Sequence, residues 1–182
     1  MPPAAVTAPM RNYRGRFAPS PSGPLHFGSL VAAVGSYLDA KANKGSWLVR
    51  IEDIDTTRVV KNADTDILNT LQAYCLHWDE SVVYQTKRLD LYQDVVSSLE
   101  NHQCVYACHC SRKQIKALGG IYQGQCKNLG HPTDTGALRL TQCHATTHFN
   151  DLIQGDICVS SELAHEDYII KRSDGLFAYQ LV

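Results

Sequence analysis

Residues 16–29 read RFAPSPSGPLHFGS, and residues 46–58 read SWLVRIEDIDTTR. Three prolines and a glycine lie close together in the first stretch, so they exclude a helix there and favour a stiff loop. Ser29 ends this loop and is predicted to cap a following helix, whose first backbone N–H groups stay unpaired. Because such a helix start accommodates a phosphate, the loop is a candidate nucleotide site.

The two stretches flank a helical pattern. From Ser29 to Lys44, apolar residues recur at every fourth position, which predicts a helix that Gly45 ends. The apolar run Ser46–Ile51 has the length and composition of a strand, and a shorter strand is predicted over Arg14–Ala18. The order strand, helix, strand indicates a βαβ unit and therefore an α/β fold.

The rest of the chain changes character about half-way along. Apolar spacing predicts two more helices, around residues 67–75 and 89–99. From Cys104 onward, cysteines and glycines crowd together with few large aliphatic residues, which predicts a small insertion held by a metal ion, with its core at residues 106–131. Short strands are predicted between residues 138 and 170.

Bulk composition narrows the class of protein. The chain has 182 residues, of which 44% are hydrophobic and 19% charged, as in an ordinary globular protein. Its net charge of −1 gives no global basic field, so any contact with RNA must be local. We expect a cytoplasmic protein without membrane association, because no apolar run approaches the roughly 20 residues that span a bilayer and no secretory signal precedes the fold.

The cysteines point to a metal more than to disulfides, since seven is an odd number. Three of them lie within 19 residues: Cys108, Cys110 and Cys126. Three thiolates in a short loop suit a tetrahedral zinc ion. By general chemistry the fourth ligand is Cys104, His109 or His131, and composition alone prefers His131.

Basic side chains surround the predicted metal site. They are Arg112, Lys113, Lys116 and Lys127. Such a cluster forms either a local face for RNA phosphates or a solvated surface, and the sequence leaves both interpretations open.

The stretch 16–58 closely resembles the class I aminoacyl-tRNA synthetases of the glutamyl branch, whose signature is an RFAPSP(S/T)G loop followed by a His-x-Gly-His-like tetrad. Residues 26–29, HFGS, match the tetrad except that Ser29 replaces the final histidine. The resemblance implies a Rossmann-like nucleotide-binding fold, incomplete in this chain, with a small zinc-stabilised insertion. It also implies that His26, Gly28 and Ser29 are catalytic and hold ATP, which is the substrate together with Mg²⁺.

The resemblance further implies a glutamate pocket. It assigns glutamate binding to Arg16, Phe17, Ala18, Pro19, Ser20, Glu52 and Tyr179. Glutamate carries two carboxylates and one ammonium group, so its pocket needs a cation and an anion, which Arg16 and Glu52 supply. Taken alone, Glu52, Asp53 and Asp55 are more typical of a solvated acidic turn or a Mg²⁺ site than of a substrate pocket, and Tyr179 is typical of a core residue.

The cysteine region resembles the glutamyl-Q-tRNA(Asp) synthetases, which carry Cys-x-Cys, then Gly-Gly-x-Tyr, then Cys. Residues 108–110 and 119–126 reproduce this pattern. The resemblance therefore implies a structural zinc ion bound by Cys108, Cys110, Tyr122 and Cys126, with Tyr122 in place of His131.

The resemblance suggests how the chain is divided. We expect a flexible arm over residues 1–12, the first half of the catalytic domain over 13–103, a zinc-containing insertion over 104–166, and the start of the second half over 167–182. Family members continue past this point into a second ATP loop. We therefore expect a fragment or a truncated relative, which binds zinc but forms no adenylate on its own.

The function implied is the ATP-dependent, tRNA-independent activation of L-glutamate to glutamyl-adenylate, followed by transfer to the queuosine of tRNA(Asp), by a monomer. One alternative is the catalytic portion of an ordinary glutamyl-tRNA synthetase. Another is a nonenzymatic remnant that binds zinc and RNA. A small nucleotidyltransferase ranks last, because its chemistry needs neither the Arg16 loop nor the cysteines.

Overall fold

The computed structural model describes residues 13–182, which form two compact units that meet in sequence at Arg88 and Leu89. The predicted arm over residues 1–12 lies outside the described residues. The helices are α1 (Phe27–Ala42), α2 (Ala63–Ala73), α3 (Leu89–Asn101), α4 (Arg112–Ala117) and α5 (Ser161–Ala164). The strands are β1 (Arg14–Phe17), β2 (Ser46–Ile51), β3 (Val83–Tyr84), β4 (Val105–Cys108), β5 (Ala137–Leu140), β6 (His148–Asp151), β7 (Gly155–Cys158) and β8 (Ile169–Lys171).

The first unit is built on a parallel sheet in the order β1-β2-β3, with α1 as the connection from β1 to β2. Successive side chains of β2 point to opposite faces of the sheet, so that Trp47, Val49 and Ile51 lie on one face and are buried in the core. Phe17 stacks on Trp47 and brings the end of β1 into the same core. The prediction of a βαβ unit, and with it of an α/β fold, is confirmed.

Helix α1 starts at Phe27, two residues earlier than predicted, and its N-cap is His26 in place of Ser29. The backbone of His26 is extended. The ring nitrogen Nδ1 of its side chain accepts a hydrogen bond from the backbone N–H of Ser29 at 3.3 Å. The imidazole therefore does what an Asp or Ser side chain does at an ordinary N-cap. The prediction that Ser29 caps the helix was wrong for this reason.

Gly45 has a different role from the helix stop predicted for it. The left-handed residue after α1 is Lys44, with φ 52°, and the backbone N–H of Gly45 bonds to the carbonyl of Ala40. A Cβ atom on Gly45 would lie 2.3 Å from the carbonyl oxygen of Tyr13, which is far too close. Glycine is thus required because the chain passes directly against the backbone that leads into β1.

The second unit contains an antiparallel sheet in the order β4-β5-β8 and a separate hairpin of β6 and β7. The connection from β4 to β5 includes α4 and most of the predicted metal-binding core. Within the sheet, Tyr106 on β4 lies opposite Arg139 on β5, which in turn lies opposite Ile169 on β8. Helix α3 belongs to this unit; the domain boundaries at residues 103 and 166 stay predictions.

No helix among residues 13–182 combines the length and the apolar character that crossing a membrane requires.

Candidate active site and candidate zinc centre

The proline-rich loop after β1 is held against the segment that follows β2. The carbonyl of Pro19 accepts a hydrogen bond from the backbone N–H of Glu52 at 2.9 Å, and the carbonyl of Pro21 accepts one from Val60 at 2.9 Å. Pro19 and Phe17 are buried, whereas Ser20 is exposed. Backbone contacts therefore bring this loop and Glu52 together at the carboxyl edge of the parallel sheet, where α/β folds bind ligands.

Glu52 is held by a cation that sequence reasoning missed. Its Oε1 forms an ion pair with Nη2 of Arg50 at 2.6 Å, and the two side chains are only 12% and 16% exposed. Arg50 and Glu52 are two positions apart, so alternation along an extended chain puts both on one face; this spacing is a signal that was available in the sequence. Arg16 is exposed, and its side chain makes no hydrogen bond or ion pair with any residue of the described range.

Arg16 and Glu52, the cation and the anion predicted to bind glutamate, therefore lie in different environments. Arg16, close to the end of β1, offers a guanidinium to solvent, while Oε1 of Glu52 accepts from Arg50 and its Oε2 has no hydrogen-bond partner within residues 13–182. Arg16 lies on β1, opposite Leu48 of the parallel neighbour β2, and Glu52 directly follows the end of β2. This arrangement can bind a ligand that carries both a carboxylate and an ammonium group.

The start of α1 is covered by its own cap. The ring of His26 lies against Gly28, where an added Cβ would come within 3.1 Å of the ring carbon Cε1. Glycine therefore lets the imidazole fold over the helix start and accept from Ser29. A phosphate that binds the backbone N–H of Ser29 must displace this imidazole.

The acidic turn after β2 does not gather its carboxylates. Asp53 accepts hydrogen bonds from the backbone N–H and the hydroxyl of Thr86, at 2.9 and 2.5 Å, and Asp55 accepts one from Thr57 at 2.7 Å. Among the described residues, these acids do not form a group with metal-ligand spacing. They shape the loop, and the alternative of a Mg²⁺ site here has no geometric support.

Tyr179 lies in the second unit, after the buried Phe177 and Ala178, and is about half exposed. Its exposure differs from that of an ordinary core tyrosine. Its assignment to the glutamate pocket stays a prediction.

The cysteine cluster has the geometry of a metal centre. The Sγ atoms of Cys108, Cys110 and Cys126 all lie within 4.8 Å of one another, and those of Cys110 and Cys126 are 3.5 Å apart. Thiolates on one tetrahedral zinc ion, each about 2.3 Å from the metal, are about 3.8 Å apart. The three thiols therefore fit zinc, which needs a fourth donor to close the site.

Tyr122 is the donor that the fold places beside the thiols. Its side chain is 2% exposed and packs against the cysteines, and its hydroxyl oxygen accepts a hydrogen bond from the backbone N–H of Cys126 at 2.9 Å. His131 instead packs edge-on against the ring of His109, with centroids 4.5 Å apart, and neither joins the thiol group. The geometry thus favours Tyr122 over His131 as a ligand.

Burial keeps two of these donors protonated when no metal is bound. It raises the pKa of Tyr122 to about 12 and that of Cys110 to about 12, in each case chiefly through loss of hydration. Burial also raises the pKa of Cys108, but the hydrogen-bonding interactions and charge of Arg139 contribute to a net lowering. Metal binding must therefore release protons from Cys110 and Tyr122.

The basic cluster near this centre is divided. Arg112, Lys113 and Lys116 are exposed on or at the start of α4, which Ser111 begins with a capping box. Lys127 instead pairs with Asp167 at 3.1 Å. Three cations thus remain available to solvent on one short helix, and the choice between an RNA-binding face and a solvated surface stays open.

Comparison with known proteins identifies the family of the chain. The family model described as tRNA synthetases class I (E and Q), catalytic domain, matches residues 12–182. The chain belongs to this synthetase family. The fold and recognition predictions are thereby confirmed.

Relatives of this synthetase chain carry a more specific name. The chain is 55% identical over 174 residues to a protein of Shewanella oneidensis named Glutamyl-Q tRNA(Asp) synthetase, and the match covers 96% of this chain and 58% of the relative. A protein of the same name from Shigella flexneri is 53% identical, over 93% of this chain and 55% of the relative. The synthetase chain thus spans a little over half the length of these curated relatives.

Solved structures show the same fold. A glutamate tRNA ligase from Elizabethkingia meningosepticum, in complex with its amino acid, matches 94% of the synthetase chain and 40% of its own, with a TM-score of 0.77 and 25% identity. A glutamate-tRNA synthetase from Elizabethkingia anophelis matches with a TM-score of 0.76, also at 25% identity.

Proposed function

We propose that the protein activates L-glutamate with ATP and Mg²⁺, without tRNA, and transfers the glutamyl group to the queuosine of tRNA(Asp). One observation carries the glutamate part: Arg16, on β1, offers an exposed guanidinium, and Glu52, directly after the neighbouring parallel strand β2, offers a carboxylate that Arg50 anchors. The names of the relatives that are 53–55% identical support the tRNA part.

In this proposal the side-chain carboxylate of glutamate binds Arg16, and its ammonium group binds Oε2 of Glu52. The α-carboxylate attacks the α-phosphorus of ATP, a new O–P bond forms, and pyrophosphate leaves. This step needs no side-chain base, because the attacking carboxylate is already ionised; it needs positioning and neutralisation of phosphate charge. The N-terminus of α1 and His26 supply that neutralisation.

In the second step, a hydroxyl of queuosine attacks the carbonyl carbon of the adenylate, AMP leaves with the bonding electrons, and the hydroxyl proton passes to the departing phosphate. The exposed basic residues of α4 lie in the second unit and provide positive charge for RNA phosphates. They position RNA and carry no sequence information on their own.

We include a structural zinc ion in the proposal, bound by Cys108, Cys110, Tyr122 and Cys126. All four ligands then come from protein, so the metal has no open position for substrate. It stabilises the connection between β4 and β5, which has few large apolar side chains to hold it.

A second candidate is the aminoacylation of tRNA(Glu), favoured by the structural likeness to glutamate tRNA ligases. In the test, the full-length protein is given labelled glutamate and one of three RNAs: tRNA(Asp) with queuosine, tRNA(Asp) without queuosine, or tRNA(Glu). The label transferred to each RNA is then measured. The proposal expects label on the first RNA alone. Charging of tRNA(Glu) would establish the second candidate and refute the first.

A further inference from the structure

A buried arginine lies directly behind the predicted zinc ligands. Arg139, on β5, is 3% exposed, and its guanidinium carbon lies 3.6 Å from the centroid of the Tyr122 ring. Its Nη1 donates a hydrogen bond to the main-chain carbonyl of Asp167 at 2.5 Å. The stacked guanidinium therefore limits the positions that the Tyr122 ring can take.

This arginine has no carboxylate partner among the described residues. The nearby carboxylate of Asp167 is occupied by other groups: Lys127 Nζ at 3.1 Å, the Tyr106 hydroxyl at 2.8 Å and the Gln142 N–H at 2.6 Å. The buried Nε of Arg139 has no hydrogen-bond partner. A buried guanidinium without a carboxylate partner is unfavourable, so an anion close to Arg139 stabilises it.

The predicted zinc centre supplies that anion. Zn²⁺ bound by three thiolates and one phenolate carries a net charge of about −2, because four anionic ligands outweigh the two charges of the metal. Arg139 stacks on one of these ligands, Tyr122, and interacts with another, Cys108. Groups behind the ligands commonly set ligand orientation and metal affinity.

We propose that Arg139 is a positioning residue of the zinc centre: its planar face holds the ring of Tyr122, and its charge offsets that of the bound ligand set. This inference rests on the zinc site proposed above. The competing interpretation is a purely structural role, in which Arg139 ties β5 to the backbone of Asp167 whether or not metal is bound.

The test measures metal binding by the full-length protein, with zinc affinity taken from competition with a chromogenic chelator. Arg139→Gln keeps a polar planar group and loses the charge, while Arg139→Lys keeps the charge and loses the planar fork. Lys127→Gln is the matched control, because it removes a nearby cation that pairs with Asp167 and does not stack on a ligand. Thermal unfolding with zinc and with chelator accompanies each measurement.

We expect Arg139→Gln to weaken zinc binding at least tenfold, Arg139→Lys to recover part of the loss, and Lys127→Gln to stay within about threefold of the parent. The rise in melting temperature on adding zinc should shrink in Arg139→Gln, whereas a purely structural role lowers both temperatures equally. Visible absorption of the Co²⁺-substituted protein should change in Arg139→Lys, because the ring of Tyr122 is no longer held.

Zinc affinity within twofold of the parent, with an unchanged Co²⁺ spectrum, would overturn the proposal. If Arg139→Gln does not fold, the spectrum and affinity of Arg139→Lys decide in the same way. A parent protein that binds no zinc refutes the zinc site itself and this inference with it. Zinc bound by the parent and equally by both variants refutes the role of Arg139 alone.

Discussion

The ion pair between Arg50 and Glu52 should contribute to stability as a buried pair does, and its effect can be isolated by a double-mutant cycle. The changes are Arg50→Met, Glu52→Gln and both together. With side chains 16% and 12% exposed and 2.6 Å between Nη2 and Oε1, the pair is largely shielded from water. Removal of one partner leaves the other charge buried, which costs about 3 kcal/mol for a fully buried pair.

The remaining exposure reduces that value, so we expect a coupling free energy of about 2 kcal/mol from the cycle. The chain offers a matched control in Arg14 and Glu80, whose side chains are 55% and 50% exposed and whose ion pair spans 2.9 Å. Exposed pairs of this kind contribute about 0.2–1 kcal/mol.

The assay is urea unfolding at pH 7 with zinc present, followed by far-UV circular dichroism, with both cycles measured under identical conditions. High salt should weaken the Arg14–Glu80 coupling and leave most of the Arg50–Glu52 coupling, because buried pairs are screened less. Equal coupling free energies for the two pairs, both below about 0.5 kcal/mol, would show that Arg50 does not hold Glu52 in place.

Three further predictions follow from the geometry. His26→Ala should lose about 1 kcal/mol of stability in thermal unfolding, while His26→Asn, which places a good N-cap residue there, should keep the stability of the parent. Both variants should lose glutamate-dependent ATP–pyrophosphate exchange. Exchange activity in His26→Asn would contradict a phosphate role for the imidazole. Gly45→Ala should destabilise the chain by more than about 2 kcal/mol through its backbone clash, whereas Gly35→Ala, inside α1 with open space around it, should stabilise by up to about 1 kcal/mol; similar values for both would contradict the close approach at Gly45. Because the pKa values of Cys110 and Tyr122 are each raised to about 12, both are protonated at neutral pH and must lose protons on binding metal, so zinc affinity from chelator competition should rise steeply between pH 6.5 and 8.5; a flat profile would exclude them as ligands.

Strand β2 was predictable from sequence because its signal is local. The apolar residues Trp47, Leu48, Val49 and Ile51 lie between Gly45 and Glu52, and the observed bounds, Ser46–Ile51, equal the predicted ones. The start of α1 was misplaced because serine is a common N-cap and histidine is not, so the sequence favoured Ser29 over His26. Local propensity cannot show that an imidazole replaces the usual oxygen.

Contacts that depend on strand pairing could not be predicted from the sequence. Arg139 is next to leucines in an apolar strand, and only the register that places it opposite Tyr106 shows that it is buried behind the metal ligands. The three cysteines were identifiable by spacing, whereas the choice of Tyr122 over His131 came from the resemblance to known synthetases. The structure adds the physical reason, since the hydroxyl of Tyr122 lies beside the thiols and His131 packs on His109.

The central claim is that Arg16 binds a carboxylate of glutamate while ATP is activated next to it. It is tested most directly by glutamate-dependent ATP–pyrophosphate exchange in the full-length protein without tRNA, comparing Arg16→Ala with Arg14→Ala. Arg14 is two positions earlier on β1 and pairs with Glu80 at the surface, so it controls for loss of a positive charge. We expect exchange by the parent, a loss of about 10- to 100-fold in Arg16→Ala, as expected for a charged hydrogen bond, and a loss of less than about twofold in Arg14→Ala. Exchange that is absent from the parent, or unchanged in Arg16→Ala, would contradict it.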